Sequence, residues 1–331
     1  MANQQQKPRF SVAITTPEYQ TLINRTLGDP ERAKRFIGSI TSAVAVNPEL
    51  QKCEAGSILA GALLGESLNL SPSPQIGQYY LVPFKDGAAT KANGGIEVYK
   101  AQFILGYKGY IQLAIRSGQY TKLSVIEIKQ GELKRFDPLN EEIECILIDD
   151  WNARNAAPTM GYYAMFEHMN GFRKPIYFSY EQMLAHADKY SPAFSAKRYL
   201  DLVNGRIPGL TLQMIQDGAY IGDKELYKIA SKMSSFRYKD FDTMAKKTML
   251  RQLISKWGVM STEMVSAYEK DNSIVEVNGR NELTVTSDNS IGTSEVTPEM
   301  LTPEVEDYVT RPDLSEPPPH VGYVGEGDDP L

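Results

Sequence analysis

Between Thr16 and Leu68 apolar residues recur at three- and four-residue steps, the period of helices with one buried face. Thr16-Pro17 and Asp29-Pro30 each set an N-cap residue before a proline, and proline suits the first helical position because its missing N–H would have no partner there. After Asp29, Ala33, Phe36, Ile37, Ile40 and Val44 trace a buried face, while Arg32, Lys34 and Arg35 lie mostly elsewhere. A third helix, from about Ser57 to Leu68, is small and apolar throughout, so it is expected to be buried, with Gly61 and Gly65 favouring close packing. Ser71-Pro72-Ser73-Pro74 then breaks the helical texture and the period falls to two. Gln78 to Phe84 reads as a strand whose Pro83 suggests an edge. Lys85 to Gly95 reads as a loop. From Ile96 to Leu105 the chain alternates, with Lys100, Gln102 and Ile104 on one face and Tyr99, Ala101, Phe103 and Leu105 on the other.

Helical spacing returns from Tyr107 to Ser117 and stops at Gly118, a C′ glycine. Tyr120–Lys129 and Glu142–Ile148 read as strands. Thr159–Met169 and Phe172–Phe178 flank Asn170-Gly171, a strong hairpin signal because both turn positions need positive φ. Ser179 and Gln182 form a capping box that opens a helix to about Tyr190. Residues 191–237 are mixed, with Gly and Pro breaks around a helix near Leu210–Gln216. A strong helix runs from about Asp240 to Trp257 and ends at Gly258. The pattern as a whole is that of an α+β chain with antiparallel strands and a helical N-terminal lobe.

Charge divides the chain. Its formal net charge is −6, yet residues 271–331 hold fourteen acids against two bases, which leaves residues 1–270 with 33 bases and 27 acids. Seven of the nineteen prolines also fall in 271–331. Such a segment buries too little apolar surface to offset its ordering entropy. The expected organisation is therefore a flexible N-terminus over 1–15, a basic core over 16–270 and a disordered acidic tail over 271–331. No run of about 18 apolar residues suggests a membrane span. The N-terminus lacks the apolar stretch of a secretory signal, so a cytoplasmic protein is expected. Cys53 and Cys145 share no metal-ligand spacing with each other or with the three histidines.

Several chemistries lack their residues. There is no Gly-Lys-Ser/Thr to cradle phosphates, and Gly106-Tyr-Lys-Gly109 lacks the spacing and the hydroxyl. Neither a Gly-x-Ser-x-Gly elbow nor a His-Glu-x-x-His pair occurs. Glu127-Ile-Lys129 matches the Glu-x-Lys of two-metal nucleases, with Asp137, Asp149 or Asp150 as partner ligands. The commoner origin of that pattern is alternating exposed charge on a strand. The acids Glu141, Glu142, Glu144, Asp149 and Asp150 read in the same way, as a solvated loop face.

Positive signals lie in two acid-free stretches. Between Glu97 and Glu127 there is no carboxylate, while Lys100, Gln102, Tyr107, Lys108, Arg116 and Lys122 interleave with aromatics. Phosphates attract Lys and Arg, and unstacked bases attract aromatic faces. From Thr243 through Thr262 there is again no acid, and Lys247, Arg251 and Ser255 form a ridge at i, i+4 and i+8 with Lys246 one position round. Lys197, Arg198 and Arg206 are further candidates, as are Lys232 and Arg237.

Three segments carry a family likeness. Leu68–Phe84, Gln102–Tyr120 and Phe241–Arg251, with Gly161–Ala164 and Lys189–Ser191, resemble the RecT family of phage single-strand annealing recombinases over about residues 20–265. The departure is the segment from Ser191 to Asp240, where Phe236 and Tyr238 stand in the region in which the family would place a tryptophan before Phe241. The resemblance implies a Rad52-like β-β-β-α core, a curved sheet backed by a helix. It also implies a protein that coats single-stranded DNA, assembles into rings or helical filaments, and anneals complementary strands for recombination and repair. ATP and any other cofactor would be absent, with Mg²⁺ at most a counterion to DNA. Partners would be a phage 5′→3′ exonuclease and the host single-strand-binding protein, in the cytoplasm of a bacterial host. A phosphate groove lined by Lys100, Gln102, Lys108, Arg116, Lys122, Lys246, Lys247 and Arg251 is expected, leaving the bases outward to test a second strand. A metal-dependent nuclease and a passive single-strand-binding protein are the alternatives.

Overall fold

The computed structural model describes residues 9–286, except 192, 220, 221, 234 and 278–282. The chain opens with α1 (Phe10–Ala13), α2 (Pro17–Leu27) and α3 (Pro30–Val46), whose N-cap Asp29 accepts from the Glu31 N–H. Phe10 and Ile14 are buried, so the stretch expected to be loose already packs by residue 10. Residues 1–8 lie outside the described residues. Helix α4 (Ala55–Ser67) is buried on every side because two layers cover it, the N-terminal helices and a sheet. Gly61 and Gly65 let that sheet approach. A Cβ on Gly61 would lie 2.7 Å from Leu81, and one on Gly65 would meet the Tyr79 ring.

Strand β1 (Tyr79–Lys85) pairs antiparallel with β2 (Tyr99–Leu105) along its whole length. The connection between them, expected to be a loop, contains α5 (Gly87–Ala92), opened by Asp86, whose side chain accepts from the Ala89 N–H. Then follow α6 (Tyr107–Arg116) and β3 (Tyr120–Lys129), with Gly118 at φ +67° between them. A small hairpin, β4 (Leu133–Asp137) and β5 (Glu142–Cys145), and α7 (Trp151–Ala156) intervene before the second hairpin. This second hairpin is β6 (Thr159–His168) and β7 (Arg173–Ser179), turning at Asn170-Gly171 with Gly171 at φ +82°. Ser179 and Gln182 cap α8 (Tyr180–Tyr190) reciprocally, as their spacing predicts.

Short helices α9 (Ala196–Val203), α10 (Leu212–Asp217), α11 (Lys224–Ala230) and α12 (Phe236–Lys239) lead to the long α13 (Phe241–Trp257). Here the segment that departs from the family pattern supplies aromatic core. Tyr238 is fully buried, with ring centroids 4.9 Å from Phe194 and 6.3 Å from Tyr199, and Tyr199 stacks on Phe241 at 5.1 Å. Helix α14 (Thr262–Glu269) follows, then β8 (Ser273–Val277) and β9 (Leu283–Thr286).

The described strands form three antiparallel sheets: β1-β2-β8-β9, β3-β6-β7 and β4-β5. The fold is α+β as expected, with the strands divided among sheets. The meander β3-β6-β7 followed by α8 supplies the β-β-β-α order, and α13 packs against it on one side and against α6 on the other. The boundary expected at residue 270 moves outward. Asp271 is buried, and β8 joins β2 through Gln102↔Ile274 and Phe103↔Ser273. The acidic tail beyond residue 286 lies outside the described residues.

Candidate nucleic-acid interface

Helix α13 carries the cations that its acid-free sequence assigns to DNA. Buried between α6 and the meander, it presents them inward instead. Lys247 is only 5 % exposed and donates from Nζ to Asp271 Oδ1 at 2.8 Å. Arg251 donates to Asp271 Oδ2 at 2.8 Å and lies over the Tyr268 ring at 4.1 Å. The same carboxylate accepts from the Leu105 N–H at 2.9 Å and from Tyr110 Oη at 3.2 Å. Burial alone would raise the Asp271 pKa, but Lys247 and Arg251 overcome it and hold the group below the usual carboxylate range. Burial pulls the Lys247 ammonium below its ordinary value even with Asp271 beside it.

Lys246 points to β3. It meets Glu127 at 2.8 Å and lies 5.2 Å from the Tyr107 ring centroid. Glu127 also pairs with Lys129 at 2.7 Å, and Lys129 is buried against Thr159. The Glu-x-Lys pattern on β3 is thus an internal ion-pair network, not alternating exposed charge. Nor does it gather metal ligands. Asp137 accepts the turn N–H groups of Leu139 and Asn140, and Asp150 caps α7. Among the described residues no three His, Cys, Asp or Glu side chains are placed to hold one ion.

On β2 the reading of an outward face also changes. That strand is central, with β1 paired along one edge and β8 along the other. Gln102 is 8 % exposed and donates to the Asn272 carbonyl at 2.7 Å. Lys100 pairs with Asp86 at 2.8 Å and with Glu276. Lys100, Gln102, Lys246, Lys247 and Arg251 are therefore each engaged with groups of the protein itself, namely Asp86 and Glu276, the Asn272 carbonyl, Glu127 and Asp271, and are not the unpaired cations that the acid-free windows suggest.

The other candidates remain at the surface. Arg116 donates to the Leu68 carbonyl at 2.5 Å and faces Glu263 at 3.6 Å. The Lys122 side chain is 68 % exposed, 3.2 Å from Glu167. Arg198 reaches the Lys232 carbonyl at 3.2 Å, and Arg206 faces Asp201 at 3.5 Å. Lys108 and Lys197 are exposed, with no ion pair among the described residues. Tyr107 is half-buried beneath Lys246. These groups lie on α6, β3 and α9 and the loop after it.

The Gly106-Tyr-Lys-Gly109 segment has a packing role. A Cβ on either glycine would collide with the backbone carbonyls of Gly77 or Gln78, so the start of α6 is pressed directly onto the chain entering β1. A model of the RecT family matches residues 34–285. The chain belongs to the RecT family. The match runs from α3 into β9, so the family unit includes Asp271 and β8. It is similar to the uncharacterized protein YqaK of Bacillus subtilis (strain 168), 33 % identical over 281 residues, 84 % of this chain and 78 % of that protein. It is also similar to Protein RecT of Escherichia coli (strain K12), 31 % identical over 124 residues, 38 % of this chain and 44 % of that protein. RecT-family membership makes it a recombination protein of the single-strand annealing kind. No helix among the described residues is long and apolar enough to cross a membrane.

Two features escaped the sequence reading. Arg237, treated as a weak surface candidate, is buried without a carboxylate. Its Nε donates to Ser191 Oγ at 3.0 Å, Nη2 donates to Thr248 Oγ1 at 2.9 Å, and Nη1 has no partner among the described residues. Burial lowers its pKa to about 10. The second is Trp257, the last residue of α13, which stands 38 % exposed with Lys174 and Lys256 over its ring. The only local hint was its place beside Lys256 at the end of the helix.

Proposed function

We propose that this chain is an ATP-independent annealing protein of phage recombination that binds single-stranded DNA, self-associates and pairs complementary strands while holding the duplex intermediate. The observation that carries this reading is the family match over residues 34–285, which takes in the whole scaffold from α3 to β9. The distribution of charge supports it. The surface cations Lys108, Arg116, Lys122, Lys197, Arg198 and Arg206 would hold phosphates, which leaves base edges free to pair. Self-association would extend this surface along the strand. The chain would perform no covalent chemistry and need no cofactor. It would act in the bacterial cytoplasm beside a 5′→3′ exonuclease and the host single-strand-binding protein.

A fluorescence-quenching assay with two complementary oligonucleotides tests the proposal. Pairing should accelerate with neither ATP nor a divalent metal. Slowed pairing would mark a passive single-strand-binding protein. Degradation of the strands with Mg²⁺ or Mn²⁺, lost in Glu127→Ala, would mark a nuclease. Lys108→Ala with Lys122→Ala should lower the salt slope of binding, by about 0.7 for each phosphate no longer neutralised.

A further inference from the structure

The segment after the β4–β5 hairpin exposes large apolar side chains by construction. Ile146 and Leu147 follow β5 and Trp151 opens α7, and they are 62 %, 46 % and 70 % exposed. The backbone that carries them is firmly anchored. Glu132, whose side chain is wholly buried, accepts at one oxygen from the Ile148 N–H at 3.1 Å and from Arg154 Nε at 2.6 Å. Its other oxygen accepts from the Lys129 N–H at 2.7 Å and from Arg154 Nη2 at 3.2 Å. The Ile146 N–H donates to the Glu132 carbonyl at 2.9 Å, and Arg154 also donates to the Glu127 carbonyl at 2.7 Å. One buried ion pair thus pins residues 146–154 at both ends to the turn after β3, and it holds three apolar side chains in water. Three such residues within six positions, an indole among them, have the make-up of the centre of a protein contact.

Charge narrows the occupant. Glu144 precedes the apolar residues, Asp149 and Asp150 lie between Leu147 and Trp151, and all three are exposed. These acids repel phosphates, so a DNA strand is the wrong partner for this face. They equally disfavour the same face of a second copy across a twofold axis. A basic and apolar surface is complementary, and the chain carries one on α9. There Tyr199 and Leu202 are buried, while Lys197, Leu200 and Val203 recur at three-residue steps on the exposed side.

We propose that the face formed by Ile146, Leu147 and Trp151 docks on the α9 ridge of a second copy of this chain, apolar against apolar, with Asp149 meeting Lys197. This inference rests on the reading that the chain self-associates, and it names the two surfaces. Because they differ, the contact is head-to-tail and leaves one of each free on a pair of copies. It therefore repeats, into a ring if the rotation closes and into a filament if it does not. Lys197 then belongs to the contact between copies, leaving the other surface cations to the phosphates.

The chain has two tryptophans, so Trp257→Phe leaves Trp151 as its sole indole emitter. Sedimentation velocity across a dilution series of this full-length variant, with and without oligothymidylate, measures association, and emission reports burial of the indole. Trp151 emission should move to shorter wavelength as copies associate. Trp151→Ala should melt normally, since the side chain is exposed, yet raise the dissociation constant about 30-fold or more, as for a tryptophan at the centre of a contact. Asp149→Lys and Lys197→Glu should each weaken association, and the double variant should recover most of it. The assignment is overturned if Trp151 emission stays constant while copies associate, if Trp151→Ala associates as the wild type does, or if the double variant is no better than either single one. Those results leave self-association intact. A chain that sediments as a monomer throughout overturns both the surfaces and the reading beneath them.

Discussion

Replacing Asp271 with alanine separates a scaffold role for α13's cations from a DNA-binding role. The carboxylate is fully buried and accepts from four donors: Lys247, Arg251, Tyr110 and the Leu105 N–H. Its removal leaves the buried Lys247 ammonium with no counter-charge. Breaking one side of a buried ion pair in this way costs about 3–5 kcal/mol. For a domain of this size that is a fall in melting temperature of about 6–20 °C. Against a total stability of about 5–15 kcal/mol, it would remove much of the folded population at 37 °C. Differential scanning calorimetry measures it directly. Adding Lys247→Met and Arg251→Met to Asp271→Ala should restore most of the loss, since a well-packed apolar trio can replace a buried ion cluster at little net cost. A melting temperature within about 2 °C of wild type for Asp271→Ala would refute the internal assignment. So would a Lys247→Met variant that melts normally yet loses DNA affinity.

Other consequences can be measured independently. Burial, then the charges of Arg237, Lys256 and Lys189, push His186 down to about 4, so the native state keeps the ring neutral after the unfolded chain has protonated it. Stability should therefore be fully present above about pH 6.5 and fall by up to about 3 kcal/mol as pH drops toward 4. Urea titrations should show that loss flattened in His186→Gln. Deleting 287–331 removes eleven acids and one base, and should tighten DNA binding most at low salt while leaving the melting temperature unchanged. Deletion from 271 should instead prevent cooperative unfolding, as read by circular dichroism. Gly109→Ala should lower stability by about 1–3 kcal/mol, because the added methyl meets the Gln78 carbonyl, which is backbone and cannot rotate away.

Local chemistry was the legible part of this sequence. Asp29-Pro30, Gly118, Asn170-Gly171 and the Ser179/Gln182 box each bear on a few consecutive residues, and each marks its cap or turn in the structure, although of the Asn-Gly pair only Gly171 takes a positive φ. Helix α5 escaped notice because Gly87 and the small residues after it carry no apolar period. The signal was Asp86, whose cap is visible only once the helix exists. Strand β4 is short and, among the described residues, pairs only with β5, so no buried face imposed alternation on it.

Charge was the least legible part. The acid-free windows around Lys100 and Lys247 suggested free cations. Ion pairing, however, is decided by what the fold brings near. Glu127 lies 119 residues before Lys246, and Asp271 lies 24 residues after Lys247. Gln102 was assigned an open face because alternation reports one buried side. It cannot report that Asn272, from residues assigned to the tail, accepts from the Gln102 amide, or that β8 pairs along the edge of β2.

The position of Asp271 also fixes an order of manufacture. Lys247, Arg251 and both strands of the first hairpin leave the ribosome before the residue that neutralises and covers them. Until β8 follows, β2 has one unpaired edge, and Lys247 and Arg251 on α13 lack the carboxylate that pairs with both. A nascent chain halted at residue 270 would present that edge to its neighbours, the arrangement that invites strand pairing between molecules. A message cut short there should yield an aggregation-prone fragment rather than a shorter working protein, since the edge of β2 and the Lys247 ammonium both wait on residues 271–277.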